Sequence, residues 1–365
     1  YTGEGAIQFA PEAIARSNAD ILKTEYQRNL FIEMYCENPV EAEGLLQAWA
    51  SKEMPEDELK HRMQRYGLNA CAEILGSNFL CNLAEYNLNM IDPWDFQSQW
   101  EAITASALEV AVLLHHEFPN ERLQYSRELD PIVAACPTGV FDFFVNLFGV
   151  DYLNWWQNDR PNEWDVGSKQ WIECINPICG LFGIDTDEID EETGSPDLDG
   201  VLYKRIERSY LEWWREIVRE TVTDYCTRNN LKVPNRYTAV QPSGTKALLT
   251  GASPGWHPPK GSHMIRRITF EREHPVALAL KDYGYNIIPN TDSKHEDGTL
   301  LPEDAIYHPR CQSWLVEIPV KASWADLLEA DQYNPDQFSV FAQWDFFLQV
   351  QNHYTTHNTS ATIEL

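Results

Sequence analysis

Apolar positions recur at helical spacing along most of this chain and alternate like strands in only a few short runs. Residues 10–66 read as successive helices. Pro11-Glu12-Ala13-Ile14 sets a proline in an opening turn, and the segments at 41–46 and 56–59 continue the pattern. Ile103, Ala107, Val110, Ala111 and Leu114 share one helical face, which must be largely buried. Cys136-Pro137-Thr138-Gly139 predicts a turn, and the apolar run from Val140 to Phe148, closed by Gly149, predicts a core helix. A long helix is predicted from about 202 to 228, ending at Asn229-Asn230. A later one carries Phe338, Phe341, Trp344, Phe347 and Val350 on one face. Strand-like runs occur at 6–9, 237–240, 265–270, 314–318 and 360–363. Strands separated by helices predict an α/β architecture with substantial parallel character. The chain reads as a single domain over 1–365 in which residues 151–200, with the acidic run 185–192, form an irregular surface excursion.

Composition narrows the function. An apolar share of 43% with 12% aromatic residues supports a packed core over 365 residues. The formal charge of −28 opposes broad contact with phosphate backbones or anionic lipid, so neither nucleic acid nor membrane is an expected partner. No secretory leader pattern opens the chain, and its eight cysteines are scattered, which fits reduced thiols in the cytoplasm. The chain begins without Met near one strand-like run and stops inside another, so both ends read as cuts.

The sharpest chemistry lies in Gly67-Leu68-Asn69-Ala70-Cys71-Ala72-Glu73-Ile74-Leu75, with Cys81 ten residues after Cys71 (81 − 71). A lone cysteine is usually a buried structural thiol, but here an amide and a carboxylate flank it. In an extended loop, Asn69, Cys71 and Glu73 would point the same way, towards one substrate. Glu73 is then a candidate general base, and Cys81, paired with another thiol, a candidate two-electron reductant.

A second signal is Pro242-Ser243-Gly244-Thr245, where a strand runs into an Ala/Leu-rich helix. Such a turn is equally a helix cap and an anion site. No Asp or Glu occurs from Pro242 to Arg267, while Lys246, Lys260, Arg266 and Arg267 are basic, which favours a bound polyanion. Cys174 and Cys179 lack the further ligands of a zinc site, His115-His116 read as a helix end, and Gly3-Glu4-Gly5 lacks the rest of a dinucleotide fingerprint. The pairs Trp155-Trp156 and Trp213-Trp214 read as core.

With these residues in place, the chain resembles the catalytic subunit of ribonucleotide reductase, above all its adenosylcobalamin-dependent class II form of the cyanobacterial type. Residues 67–75 resemble that family's Asn-Pro-Cys-Gly-Glu-Ile finger loop, and Cys81-Asn82-Leu83 its Cys-Asn-Leu. Thr138-Gly139-Val140-Phe141-Asp142 resembles its Thr-Gly-hydrophobic-Asp helix start, and Pro242–Thr245 with Arg266-Arg267-Ile268 its phosphate loop and the strand beyond. The resemblance implies a ten-stranded α/β barrel with the Cys71 loop at its centre, present here in part. It implies a thiyl radical on Cys71, Glu73 as base, Asn69 on the sugar, Cys81 as reductant, and Pro242, Ser243, Gly244 and Thr245 on the phosphates. Adenosylcobalamin, a ribonucleotide and a thioredoxin-type reductant are the implied cofactor, substrate and partner.

Departures remain. Ala70 and Ala72 replace the family's Pro and Gly, and residues 132–136 stand where a Gly-containing segment is usual. The thiol that pairs with Cys81 is expected before Tyr1, on a complementary N-terminal barrel half, and the shuttle cysteines after Leu365. The absence of a Tyr-Tyr pair favours cobalamin over a class I-type subunit that needs a radical-generating partner. A nucleotide-binding fragment without turnover is the third reading.

Overall fold

The computed structural model describes residues 9–50, 54–63, 67–186 and 199–363. The strand expected at 6–9, apart from Phe9, the Gly-x-Gly at 3–5 and the acidic run beyond residue 186 lie outside them. The chain forms two compact units, 1–258 with 337–365, and 259–336. Among the described residues no helix is long and apolar enough to cross a membrane.

The first unit opens with the expected helices α1 (Ala10–Ser17), α2 (Glu25–Glu37), α3 (Pro39–Trp49) and α4 (Glu56–Met63). Thr24 and Gln27 form a reciprocal capping box on α2, and Asn38 caps α3 ahead of Pro39, so local chemistry sets both starts. Ile14, Leu22, Phe31, Leu46 and Leu59 close a small core between them. A two-residue hairpin follows, β1 (Gly67–Leu68) against β2 (Leu75–Gly76), and then β3 (Leu83–Asn87). Helices α5 (Phe96–Val112) and α6 (Glu121–Leu129) cross over to β4 (Ala134–Thr138), which pairs in parallel with β3 from Leu83↔Ala134 to Asn87↔Thr138. The predicted face of Ile103, Ala107, Val110 and Ala111 on α5, with Leu114 just beyond, is buried.

The turn expected at 136–139 is instead the end of buried β4; only Gly139, in the left-handed region, turns the chain. Two further short parallel neighbours extend this sheet through isolated bridges, Ala135↔Thr238 and Val240↔Thr359. Ala135 N–H donates to the Tyr237 carbonyl at 3.0 Å, but Pro137, two residues on, has no N–H with which to extend the pairing.

Helix α7 (Val140–Phe148) is the predicted core helix. The excursion expected at 151–200 is overturned as far as residue 182: α8 (Val150–Gln157), α9 (Gly167–Gln170), a π turn at Trp171–Ile175 and α10 (Asn176–Phe182) fill it, and Trp155 and Trp156 are fully buried. Apolar side chains rather than acidic ones decide this region. Helix α11 (Asp199–Arg228) matches the long helix expected there.

In the second unit, β5 (His263–Glu271), α12 (Pro275–Asp282), β6 (Asn286–Pro289) and β7 (Ser313–Lys321) build an antiparallel sheet of order β5-β7-β6, so parallel character is confined to the first unit. Trp314, Val316 and Ile287 centre its core. Back in the first unit, α13 (Val340–His353) buries Ala342, Phe346 and Val350, while Phe341 and Trp344 of the predicted face are exposed.

Candidate active site

The β1/β2 hairpin presents the sequence-predicted thiol. Asn69 closes its loop with three bonds. Its N–H donates to the Ile74 carbonyl (3.2 Å), its carbonyl accepts from Ala72 N–H (2.9 Å), and its side-chain oxygen accepts from Ile74 N–H (3.0 Å). Closure forces Ala72 to φ 62°, a left-handed conformation that costs a non-glycine residue about 1–2 kcal/mol. The expected extended alternation of Asn69, Cys71 and Glu73 therefore does not occur, because a tight turn breaks the two-residue period. Cys71 is exposed at the tip, Asn69 is half-buried, and Glu73 is buried.

Glu73 and Cys71 nonetheless act electrostatically on Cys81. The Cys81 thiol pKa is pushed up to about 11, first by burial against the protein on one side, then by the charges of Glu73 and Cys71. Its other side reaches solvent. Carboxylate oxygen Oε2 of Glu73 is buried without a hydrogen-bond partner, an arrangement that a bound polar molecule would complete. From the last parallel segment, Asn358 N–H donates to the Glu73 carbonyl at 3.0 Å.

Two members escaped the sequence reading. Cys136, buried on β4, has its pKa raised by burial and by the charges of Glu85 and Glu73, while Lys246 acts the other way. Glu85 projects from β3, its pKa raised by burial against the opposing pull of Lys246 and Gln241. The Lys246 ammonium lies 3.9 Å from its carboxylate. A charged residue inside the strand that follows Cys81 was the available signal for Glu85.

Lys246 belongs to the second predicted motif. Ser243 takes φ 54° with its hydroxyl buried and unpartnered, and Gly244 and Thr245 are exposed. The helix expected behind them is one 3₁₀ turn, Lys246–Leu249. The turn is short because the chain is pulled back onto the sheet: Thr250 Oγ1 donates to Asn87 Oδ1 (2.9 Å), Asn89 Nδ2 to the Thr250 carbonyl (2.9 Å), and Ser253 N–H to Asp142 Oδ2 (2.6 Å). The Thr138–Asp142 motif thus anchors Ser253 and Gly255, in the segment that follows the Pro242–Thr245 loop. Of the acid-free window, Lys260, Arg266 and Arg267 lie in the second unit, where Arg267 Nε donates to Glu317 at 2.9 Å. Cys174 and Cys179 are buried, their pKa values pushed up to about 12 and about 11 by burial.

The segments leading into this parallel strand pair carry an exposed thiol, a buried carboxylate and a second exposed thiol. No family model matches the chain. It is 25% identical over 303 residues to an adenosylcobalamin-dependent ribonucleoside-triphosphate reductase of Lactobacillus gasseri, which covers 81% of this chain and 33% of that protein. It is 32% identical over 264 residues to that of Lactobacillus delbrueckii subsp. bulgaricus (71% and 29%) and 33% over 266 residues to that of Lactobacillus acidophilus (71% and 29%). Its fold matches the crystal structure of a B12-dependent class II ribonucleotide reductase with a TM-score of 0.51 at 22% identity, over 81% of this chain and 35% of that one. The chain is thus similar to ribonucleotide reductases. Within that class its similarity is to the adenosylcobalamin-dependent enzymes, and it spans about a third of their length.

Proposed function

We propose that this chain carries the thiol loop of a class II ribonucleotide reductase and acts in converting ribonucleotides to 2′-deoxyribonucleotides. The observation that carries this reading is the shared electrostatic neighbourhood of Cys71, Glu73 and Cys81. The relatives are named for ribonucleoside triphosphates, which makes triphosphates the substrates to try first.

Exposure of Cys71 at the hairpin tip suits a sulfur that must be reached from outside the chain. Adenosylcobalamin, when bound, supplies the radical that oxidises it. The Cys71 thiyl then takes the 3′ hydrogen of the ribose. Glu73, buried with a free carboxylate oxygen, takes the 3′-hydroxyl proton. Asn69 commits its side-chain oxygen to Ile74, which leaves its amide N–H groups for the sugar. The 2′-hydroxyl takes a proton from the Cys81 thiol and leaves as water, and Cys71 later returns its hydrogen to C3′ and becomes a thiyl again. Cys81 and a second thiol on a complementary N-terminal barrel half give up two electrons and close a disulfide, which a thioredoxin-like reductant reopens. With its pKa near 11, Cys81 holds its proton at neutral pH beside Glu73 until it is oxidised. Pro242, Ser243, Gly244 and Thr245, helped by Lys246, take the phosphates, and the charge of Glu85 keeps Lys246 near the loop. The finer fold reading is the ten-stranded α/β barrel. The segments at 83–87, 134–138, 237–240 and 358–360 fill four neighbouring positions, and both compact units belong to one cytoplasmic catalytic subunit.

The test is formation of dCTP from CTP with a dithiol reductant, by the chain alone and with the complementary N-terminal part. Product that requires only adenosylcobalamin supports the proposal. A requirement for a radical-generating protein favours a class I-type subunit, and nucleotide binding without product in every mixture favours an inactive fragment; either outcome overturns it.

A further inference from the structure

We propose that His357 and Asn358 are positioning residues that clamp the Cys71 loop, holding Ala72 in the left-handed turn that buries Glu73 beside Cys81. The proposal rests on the reading of Cys71 and Glu73 as the working groups, but its test does not use turnover. Three bonds reach three neighbouring loop residues from this one dipeptide. Asn358 Nδ2 donates to the Ala72 carbonyl (2.6 Å), Asn358 N–H to the Glu73 carbonyl (3.0 Å), and Leu75 N–H to His357 Nδ1 (3.4 Å). On its far side His357 Nε2 faces the Val133 carbonyl at 3.2 Å. A ring that accepts at Nδ1 and donates at Nε2 is the neutral Nε2–H tautomer.

The clamp itself is stiff. His357 N–H donates to the Thr238 carbonyl (3.0 Å) and Ser360 N–H to the Val240 carbonyl (2.8 Å), so the dipeptide sits in the parallel sheet. Burial, with Arg236 opposing and Asp130 favouring the charge, holds the His357 pKa down to about 3, so the ring stays neutral while the protein is folded. The loop needs such a hold. At φ 62°, where glycine rests freely, it carries an alanine. Inside the loop only the Asn69 bonds oppose relaxation. Released, Glu73 would carry its unpartnered oxygen out to water. The clamp holds at Ala72 the turn that a glycine would adopt freely.

The experiment measures iodoacetamide alkylation of Cys81 at pH 8 by peptide mass spectrometry in the full chain. Exposed Cys36 serves as the rate control and buried Cys226 as the control for folding. Each unit by which the Cys81 pKa falls raises its thiolate fraction about tenfold. Asn358→Ala is expected to speed Cys81 alkylation about fivefold relative to Cys36, less than the tenfold of a full unit because burial and Cys71 still act on the thiol. Adding Ala72→Gly, which removes the need for the clamp, is expected to return the rate to within about twofold of wild type. An unchanged rate in Asn358→Ala, or no return in the double variant, overturns the proposal. Should Asn358→Ala expose Cys226, Ala72→Gly alone decides: the clamp predicts an unchanged or raised Tm, and a lowered Tm contradicts it.

Discussion

Glu73 and Cys81 sit on different elements, a hairpin loop and the approach to β3, yet the carboxylate of one helps raise the thiol pKa of the other to about 11. A negative neighbour disfavours the thiolate, so its removal must lower that pKa. Burial is the larger cause, and Cys71 contributes as well, so Glu73→Gln should lower the Cys81 pKa by less than one unit and speed its alkylation at pH 8 by about two- to tenfold. Unchanged Cys81 reactivity would mean that the two groups share no site.

His357 makes the first unit acid-sensitive. Its pKa is lowered from 6.5 to about 3 by burial, so below pH 6.5 the unfolded chain takes up a proton that the folded chain refuses. The stability tied to this ring is present above pH 6.5 and is lost as pH falls, reaching about 2 kcal/mol at pH 5. Urea denaturation at pH 7 and pH 5 should show that loss in wild type and a shallower pH dependence in His357→Gln. Equal pH slopes in both proteins would rule the ring out as its source.

Arg160 and Glu207 form a fully buried ion pair at 2.7 Å, with Tyr152 OH donating to Glu207 at 2.6 Å and Asp345 Oδ2 accepting from Arg160 Nε at 2.7 Å. Trp155, Trp156 and Phe346 pack on the guanidinium. Glu207→Gln leaves Asp345 as the remaining carboxylate for a buried cation and should cost about 3 kcal/mol in chemical denaturation. A cost under about 1 kcal/mol would show that Asp345 suffices.

Gly255 holds the base of the Pro242–Thr245 loop. It takes φ 56°, and a Cβ there would lie 2.8 Å from the Gln241 backbone oxygen and 3.2 Å from Val240 Cγ1. Gly255→Ala should cost about 2 kcal/mol or more and weaken triphosphate binding in titration calorimetry, since Gln241 adjoins Pro242. Wild-type affinity in a folded Gly255→Ala protein would remove this loop from the phosphate site.

The candidate site residues stand out in the sequence because side-chain chemistry is local: a thiol, a carboxylate and an amide within five positions need no fold to be noticed. Their geometry does not. The positive φ of Ala72 depends on partners at 357 and 358, which are remote in sequence and invisible to any local pattern. Helix α5 was legible because aliphatic Ile103, Ala107, Val110 and Ala111 dominate its buried face, whereas on α13 the exposed Phe341 and Trp344 imitate a core stripe and hide the true one through Ala342, Phe346 and Val350. Strand β4 was mistaken for a turn because Pro137 and Gly139 punctuate it, although its partner β3 lies some fifty residues earlier. Antiparallel pairing in the second unit is likewise a long-range outcome that strand propensity does not specify.

The central claim is that Cys71 carries the chemistry. Its most direct test compares wild type with Cys71→Ser, each combined with the complementary N-terminal part, a dithiol reductant and adenosylcobalamin, by measuring dCTP formed from CTP. Cys71 is exposed, so the serine protein should fold and melt like wild type. The account predicts product from wild type and none from Cys71→Ser; deoxynucleotide formed by the serine variant would contradict it.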